Sequence, residues 1–131
     1  MKEIISKYMA SEDDDEKMDI LLDITENIDL DTYEFLLKEL NSKHIDEFVA
    51  VEIIKVVSLY SPSSQQDQTI QVLFSIIENN YDELVRTYAL QGLEHLPLVE
   101  KHYQLIQNIA QSEVDEDLKA TAEVILVRSN K

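Results

Sequence analysis

The chain has 131 residues, of which 44% are hydrophobic and 29% charged, so it is long enough for one domain with a core and is not disordered in composition. With one glycine and two prolines, the chain is unlike β-sandwiches and Rossmann-type folds, which need glycine at their turns and phosphate loops. The absence of cysteine excludes disulfides, thiolate nucleophiles and cysteine-bound zinc. A net charge of −16 argues against nucleic acid and anionic membrane as partners, and it favours a cationic partner or simply solubility.

The N-terminal quarter is the most acidic part of the chain. Residues 1–34 hold twelve acidic residues against three lysines, and residues 1–9 are compatible with a short leading helix. The run "SEDDDE" lacks the central glycine of a calcium-binding loop, so we expect Ser11 or one of Asp13 to Asp15 to cap the next helix. No signal peptide is recognisable and no apolar run approaches the ~20 residues of a membrane span, which predicts a cytoplasmic protein.

One helical pattern is repeated along the chain, each time after an Asp-Glu pair. Three copies begin at Asp46, Asp82 and Asp115, and a fourth begins at Asp15. Residues at i, i+4 and i+8 define one buried helical face in each copy. The predicted faces are Val49, Ile53 and Val57; Val85, Ala89 and Leu93; Leu118, Ala122 and Leu126; and, in the fourth copy, Met18, Leu22 and Thr25.

A second helix follows each of the first three copies in chain order. "DTYEFLLKEL" is predicted to begin with Asp31 as its N-cap and Glu34 three residues later, which is the spacing of a capping box. "DQTIQVLFSIIENN" and "LVEKHYQLIQNIAQ" are the other two second helices, whereas the last copy has none. Because one pair of helices cannot bury its apolar face alone, we expect a single all-α domain over 1–131, a short right-handed α-solenoid of antiparallel helix pairs with seven or eight helices. The predicted repeats are 15–42, 46–80, 82–112 and 115–131.

The stretch "DELVRTYALQGL" resembles the first helix of a HEAT-type repeat, in which an acidic residue leads into Val-Arg, then a small and an apolar residue. These positions are Asp82, Val85, Arg86, Ala89 and Leu93. The copy at 115 offers an acidic, an apolar, a basic and a small residue at the matching positions, whereas the copy at 46 departs at the basic and small positions. The resemblance covers about 46–131 and implies a HEAT/armadillo-like fold and a protein-binding role.

Gly92 destabilises a helix by roughly 1 kcal/mol relative to alanine. Together with Ala89 it predicts close approach of a neighbouring helix, and a local kink near Pro97 is the alternative.

We find no constellation that predicts catalysis. The chain has no phosphate-binding glycine loop and no Gly-x-Ser-x-Gly elbow. Glu94, His95 and His102 can in principle meet near the Pro97 turn and hold a metal, but their spacing matches no familiar ligand set. We therefore predict a protein that is not an enzyme and has no cofactor or metal.

By size, charge and expected fold, the chain resembles the HEAT-like immunity proteins of bacterial contact-dependent growth inhibition systems. This resemblance implies a cytoplasmic monomer that neutralises a cognate toxin by 1:1 stoichiometric occlusion, with no nucleic acid or membrane as partner. A basic nuclease domain is the expected toxin, since nucleases must hold phosphates. The alternative is a HEAT-like scaffold or regulatory module for an endogenous partner.

The predicted binding residues are acids on second helices and repeat edges, with two tyrosines as apolar anchors. They are Asp31, Tyr33, Glu34, Asp67, Glu78, Asp82, Glu83 and Tyr103. The tyrosines have an equal alternative as core rings whose hydroxyls reach the surface. The phenylalanines lie on apolar rows and are expected in the core.

Overall fold

A computed structural model describes residues 2–79 and 82–129, and these residues form eight α-helices, two short 3₁₀ turns and no strand. The prediction of an all-α chain with seven or eight helices is therefore confirmed. The helices are α1 (Lys2–Ala10), α2 (Asp14–Leu22), α3 (Leu30–Leu40), α4 (Glu47–Tyr60), α5 (Gln66–Asn79), α6 (Glu83–Gly92), α7 (Glu100–Ser112) and α8 (Glu116–Ser129). The 3₁₀ turns are Ser63–Gln65 and Leu93–His95. No helix in these ranges has the length and apolar character that crossing a bilayer requires.

Aspartate side chains begin most of the helices. Asp46 accepts hydrogen bonds from the backbone N–H groups of Phe48 and Val49 at the start of α4. Asp82 accepts the equivalent bond from the backbone N–H of Val85 at 3.1 Å, and Asp115 accepts it from that of Leu118 at 2.9 Å. Each carboxylate satisfies a donor that the first helical turn leaves without a partner, so the repeated acidic residue marks where α4, α6 and α8 begin.

The start of α3 lies two residues earlier than the sequence predicts. Asp29 is the N-cap, because its carboxylate accepts from the Thr32 N–H at 2.9 Å. Asp31 is inside the first turn and is exposed, so its prediction as the N-cap is wrong. At α2 the cap is Asp13, which is one of the predicted candidates.

The predicted apolar face of α4 is buried along its whole length, and so is that of α6, which continues to Leu93 in the following 3₁₀ turn. Leu118 and Ala122 of α8 are also buried. At the last position of the α8 face, the predicted residue Leu126 is partly buried against the core, and its neighbour Ile125 is fully buried. In α2 the predicted face is wrong at Leu22, which is exposed because Leu21 occupies the core instead, and at Thr25, which is exposed beyond the end of α2.

The repeat-leading helices form one row of contacts, in which α2 touches α4, α4 touches α6 and α6 touches α8. Helices α3, α5 and α7 each pack against the helix that follows them, namely α4, α6 and α8. Contacts of α1 with α2 and α3 close the N-terminal end. The division of 1–131 into four repeats, two of which extend into residues outside the described ranges, stays a prediction.

Candidate partner-binding surfaces

The N-terminal ends of α4, α6 and α8 place five carboxyl groups side by side. We name Asp46, Glu47, Asp82, Glu83 and Asp115 the acidic edge. The Glu47 carboxyl group lies beside the Asp82 carboxylate of the next helix in the row, and it can donate a hydrogen bond to that carboxylate once it is protonated. Glu83 makes the same contact with Asp115, one helix further on. The three repeat-leading helices therefore start in register, and their acidic pairs join into one continuous surface.

These acid–acid contacts change how the carboxyl groups hold protons. The hydrogen bond and negative charge of Asp82 raise the pKa of Glu47, and Asp115 raises the pKa of Glu83 in the same way. The shared hydrogen bond lowers the pKa of Asp82, while the pKa of Asp115 is lowered chiefly by the backbone N–H of Leu118. At neutral pH the carboxylates face one another with like charge, so a cation bound here would relieve their repulsion.

Three ion pairs join described residues in other parts of the molecule. They join Lys55 to Glu52, Arg86 to Glu113 and Arg128 to Glu94, at 3.1, 2.7 and 2.7 Å. Arg86 also lowers the pKa of Asp115 through its charge, but its guanidinium is held by Glu113. Within the acidic edge, Asp46, Asp82 and Asp115 cap their helices, whereas Glu47 and Glu83 are exposed.

Two apolar side chains accompany the acidic edge. Phe48 and Leu84 directly follow the acidic pairs of α4 and α6, and their exposed fractions are 53% and 37%. The prediction that all phenylalanines are in the core is wrong at Phe48, because Val49 holds the buried row and its neighbour points about 100° away. The position of Phe48 directly before Val49, the first residue of the predicted buried row, could have indicated from the sequence that its side chain is exposed. Exposed aromatic side chains next to charged residues are typical of the residues that contribute most to protein–protein binding.

A second surface is a groove between α5 and α7 with a volume of about 630 Å³. Two of the predicted binding acids, Asp67 and Glu78, line it from α5, and both are exposed. Its floor contains Phe74, whose ring stacks on His102 of α7 with 6.0 Å between centroids and 23° between planes.

His102 also holds the start of α7. Its Nδ1 accepts a hydrogen bond from the backbone N–H of Val99 at 2.9 Å, so this nitrogen must be unprotonated. Burial lowers the pKa of His102, and the charge of Lys101 adds to this while Asp67 opposes it. The groove therefore contains a neutral imidazole at neutral pH.

The predicted residues of α3 are in two different environments. Asp31 and Glu34 are exposed. Tyr33 is completely buried, and its hydroxyl lies 2.8 Å from Thr69 Oγ1 and 3.3 Å from the Gln65 carbonyl oxygen. Tyr33 therefore joins α3 to α5 inside the protein, and its prediction as a partner-contacting anchor is wrong because none of its surface is accessible.

Tyr103 is half-buried in a smaller groove between α7 and α8. Its neighbours there are Glu100, Gln104, Gln107, Leu126 and Ser129. The eight predicted residues therefore do not form one site. They divide among the face of α3, the α5–α7 groove, the acidic edge and this α7–α8 groove.

Two of the three residues weighed as a metal site have other partners. Glu94 accepts from Arg128 at 2.7 Å, and His102 Nδ1 is engaged by the Val99 N–H. Within 2–79 and 82–129, no three His, Asp or Glu side chains are arranged to hold a metal ion. Comparisons with protein-family models, curated proteins and solved structures found no match for this chain.

Proposed function

We propose that this protein is a cytoplasmic immunity protein that neutralises a cognate bacterial toxin, a cationic nuclease domain, by binding it 1:1 and occluding its active cleft. The observation that carries the proposal is the acidic edge, where Glu47 meets Asp82 and Glu83 meets Asp115. Contacts between carboxyl groups oppose folding at neutral pH, and binding to a cationic surface converts that repulsion into attraction.

In this proposal the acidic edge acts as a mimic of a phosphate backbone. Packed helices lie about 8–10 Å apart, so the carboxylates form a linear array rather than a single point of charge. A nuclease cleft lined with lysine and arginine is built to receive such a line of negative charge. Phe48 and Leu84 would supply the desolvated contacts that hold the complex once charge has steered it together.

The contact pattern supports a HEAT-like solenoid as part of this proposal. A row of repeat-leading helices backed by α3, α5 and α7 is what stacked helix pairs produce. Such stacking exposes an extended surface along one edge, which suits recognition of a protein cleft.

The decisive experiment is co-expression rescue. The C-terminal domain encoded by the gene immediately upstream would be expressed in a naive host, with and without this protein. We expect toxicity that this protein relieves, and a 1:1 complex that weakens as salt increases. A domain that is not toxic, or toxicity without rescue, would overturn the proposal and favour the scaffold hypothesis.

A matched pair of variants locates the effect. Glu47→Lys with Glu83→Lys reverses charge on the acidic edge, and Glu26→Lys with Glu123→Lys makes the same charge change at exposed positions outside it. Loss of rescue with the first pair and retention with the second would support the acidic edge as the binding surface.

A further inference from the structure

The α5–α7 groove has an extended shape defined by one face of α5. Asp67, Gln71, Phe74 and Glu78 all line it, and they fall on the same side of the helix because eleven residues make three turns. The two acids are thus about 16 Å apart along the helix axis.

The groove is apolar between its acidic ends. Ile70 and Phe74 form the floor and are buried, whereas Val99 and Leu105 on the opposite wall are 53% and 42% exposed. Helix α5 packs on α6 and α7 packs on α8, so the space between α5 and α7 stays open and is bridged by the Phe74–His102 stack.

Charge defines what this groove can accept. Asp67 and Glu78 are exposed, and neither belongs to any ion pair of the described residues. Lys101 is the one lysine or arginine among the groove-lining residues, and it lies on the α7 wall, so both charged side chains on the α5 wall are acidic. An occupant therefore needs an apolar centre with a positive charge near each end, facing α5.

We propose that the groove docks an amphipathic basic helix of the partner, with an apolar stripe on Phe74 and Leu105 and basic side chains on Asp67 and Glu78. Two basic residues eleven positions apart fall on one face of such a helix, at the same separation as the two acids. The identity of the partner as a cationic toxin rests on the proposed function, whereas the groove's preference for a basic helix does not.

The test uses the whole protein and a synthetic probe. The probe is a stapled helical peptide of about 15 residues with two lysines eleven positions apart and leucines at the third, fourth and seventh positions after the first. A second peptide has serine in place of each leucine and keeps the charge. Amide shifts of the ¹⁵N-labelled protein report where each peptide binds.

We expect the leucine peptide to shift residues of α5 and α7, together with the His102 imidazole, and to saturate at 1:1. Gln71→Arg places a cation inside the groove and should raise the Kd by about fivefold or more, whereas Gln68→Arg, on an exposed part of α5 outside the groove, should not. Equal shifts from both peptides, shifts confined to the acidic edge, or equal effects of the two variants would overturn the inference.

The same variants separate this inference from the proposed function. If the protein rescues growth but Gln71→Arg binds toxin as tightly as Gln68→Arg does, the groove is not the toxin site, and the inference is wrong in assigning the basic helix to the toxin. If no toxin is neutralised but the leucine peptide still binds between α5 and α7, the proposed function fails and the basic-helix site stands.

Discussion

At the scale of single residues, Gly92 is explained by packing rather than by backbone conformation. Its φ of −61° and ψ of −30° are ordinary helical values. A Cβ added there would collide with Ser58 Oγ of α4 and would lie 3.1 Å from Ser58 Cβ. The predicted close approach of a neighbouring helix is therefore confirmed, and the approaching helix is α4.

Gly92→Ala should destabilise the protein although alanine is the better helix former. Overpacking a core contact costs about 1–3 kcal/mol, against about 1 kcal/mol gained in helix propensity. We expect the free energy of unfolding in urea to fall by about 1 kcal/mol. In a Ser58→Ala background, where Oγ is absent, the same change should cost less. Stabilisation by Gly92→Ala in the wild-type background would contradict this explanation.

His102 makes the stability of α7 depend on pH. Because its folded-state pKa lies below the ordinary value of 6.5, its contribution is fully present above pH 6.5 and is lost as pH falls through the folded-state pKa. Protonation removes the acceptor that receives the Val99 N–H. Gln at this position can still accept that bond but does not titrate.

We therefore expect His102→Gln to flatten the decrease in unfolding free energy between about pH 7 and pH 5. The measurement is urea unfolding across this range for wild type and His102→Gln. His102→Ala, which lacks the acceptor, should be destabilised at both ends of the range. Parallel pH profiles for wild type and His102→Gln would show that the cap does not titrate.

At the scale of elements, Arg86 connects three helices. Its Nε donates to the Ile77 carbonyl oxygen of α5 at 2.6 Å, and its two terminal nitrogens donate to Glu113 at 2.7 and 3.3 Å. Glu113 lies directly after α7 and also accepts from the Asp115 N–H at 3.3 Å. The arginine of the Val-Arg pair thus fastens the ends of α5 and α7 to α6, and its hydrogen bond is the main reason that the pKa of Glu113 is lowered.

Arg86→Lys should lower the free energy of unfolding by about 1.5–3 kcal/mol, because an ammonium cannot make the forked contact with Glu113 and also reach Ile77. Arg128→Lys is the matched control. The Arg128 side chain is 65% exposed in its pair with Glu94, so its replacement should cost no more than about 1 kcal/mol. Urea unfolding measures both, and equal losses would contradict a connecting role for Arg86.

At the scale of the whole molecule, the acidic edge makes the stability of the packed row of helices depend on pH. Glutamates with raised pKa stabilise the fold below their ordinary value of 4.5, and this contribution is lost as pH rises through the folded-state pKa. Glutamine can donate to Asp82 and Asp115 at every pH. Glu47→Gln with Glu83→Gln should therefore raise the Tm at neutral pH, with the gain shrinking as pH approaches about 4.

Thermal unfolding from about pH 4 to pH 8 measures this effect. Glu26→Gln with Glu123→Gln removes the same charge from exposed positions outside the acidic edge. If both pairs raise the Tm equally, net charge rather than the acid–acid contacts is responsible.

Charge also sets how fast a partner arrives. Glu34→Lys and Asp67→Lys reverse two exposed acids on α3 and α5, and we expect them to weaken binding of the proposed toxin mainly through a lower association rate. Stopped-flow association at low and high salt measures this, and the difference from wild type should narrow as salt rises. Association rates unchanged at low salt would exclude this face from the encounter surface.

What the sequence by itself determined is local. The Asp-Glu pairs predict the starts of α4, α6 and α8 because capping needs one side chain and its own first turn. The buried rows of Val49, Ile53 and Val57 and of their counterparts follow from the helical period alone. The local prediction was wrong at α3, where Asp29 and Asp31 are two nearby candidates for one cap.

Only the tertiary structure decided which surfaces exist. The register of α4 on α6 brings Glu47 to Asp82, and the packing of α3 near α5 buries Tyr33 on Thr69. Phe48 is exposed for the same kind of reason, since packing leaves exposed the side of α4 that carries Phe48, Lys55 and Leu59. The helical period gives the direction in which each side chain points from the helix axis. The environment of that side chain depends on helices more than thirty residues away in the sequence.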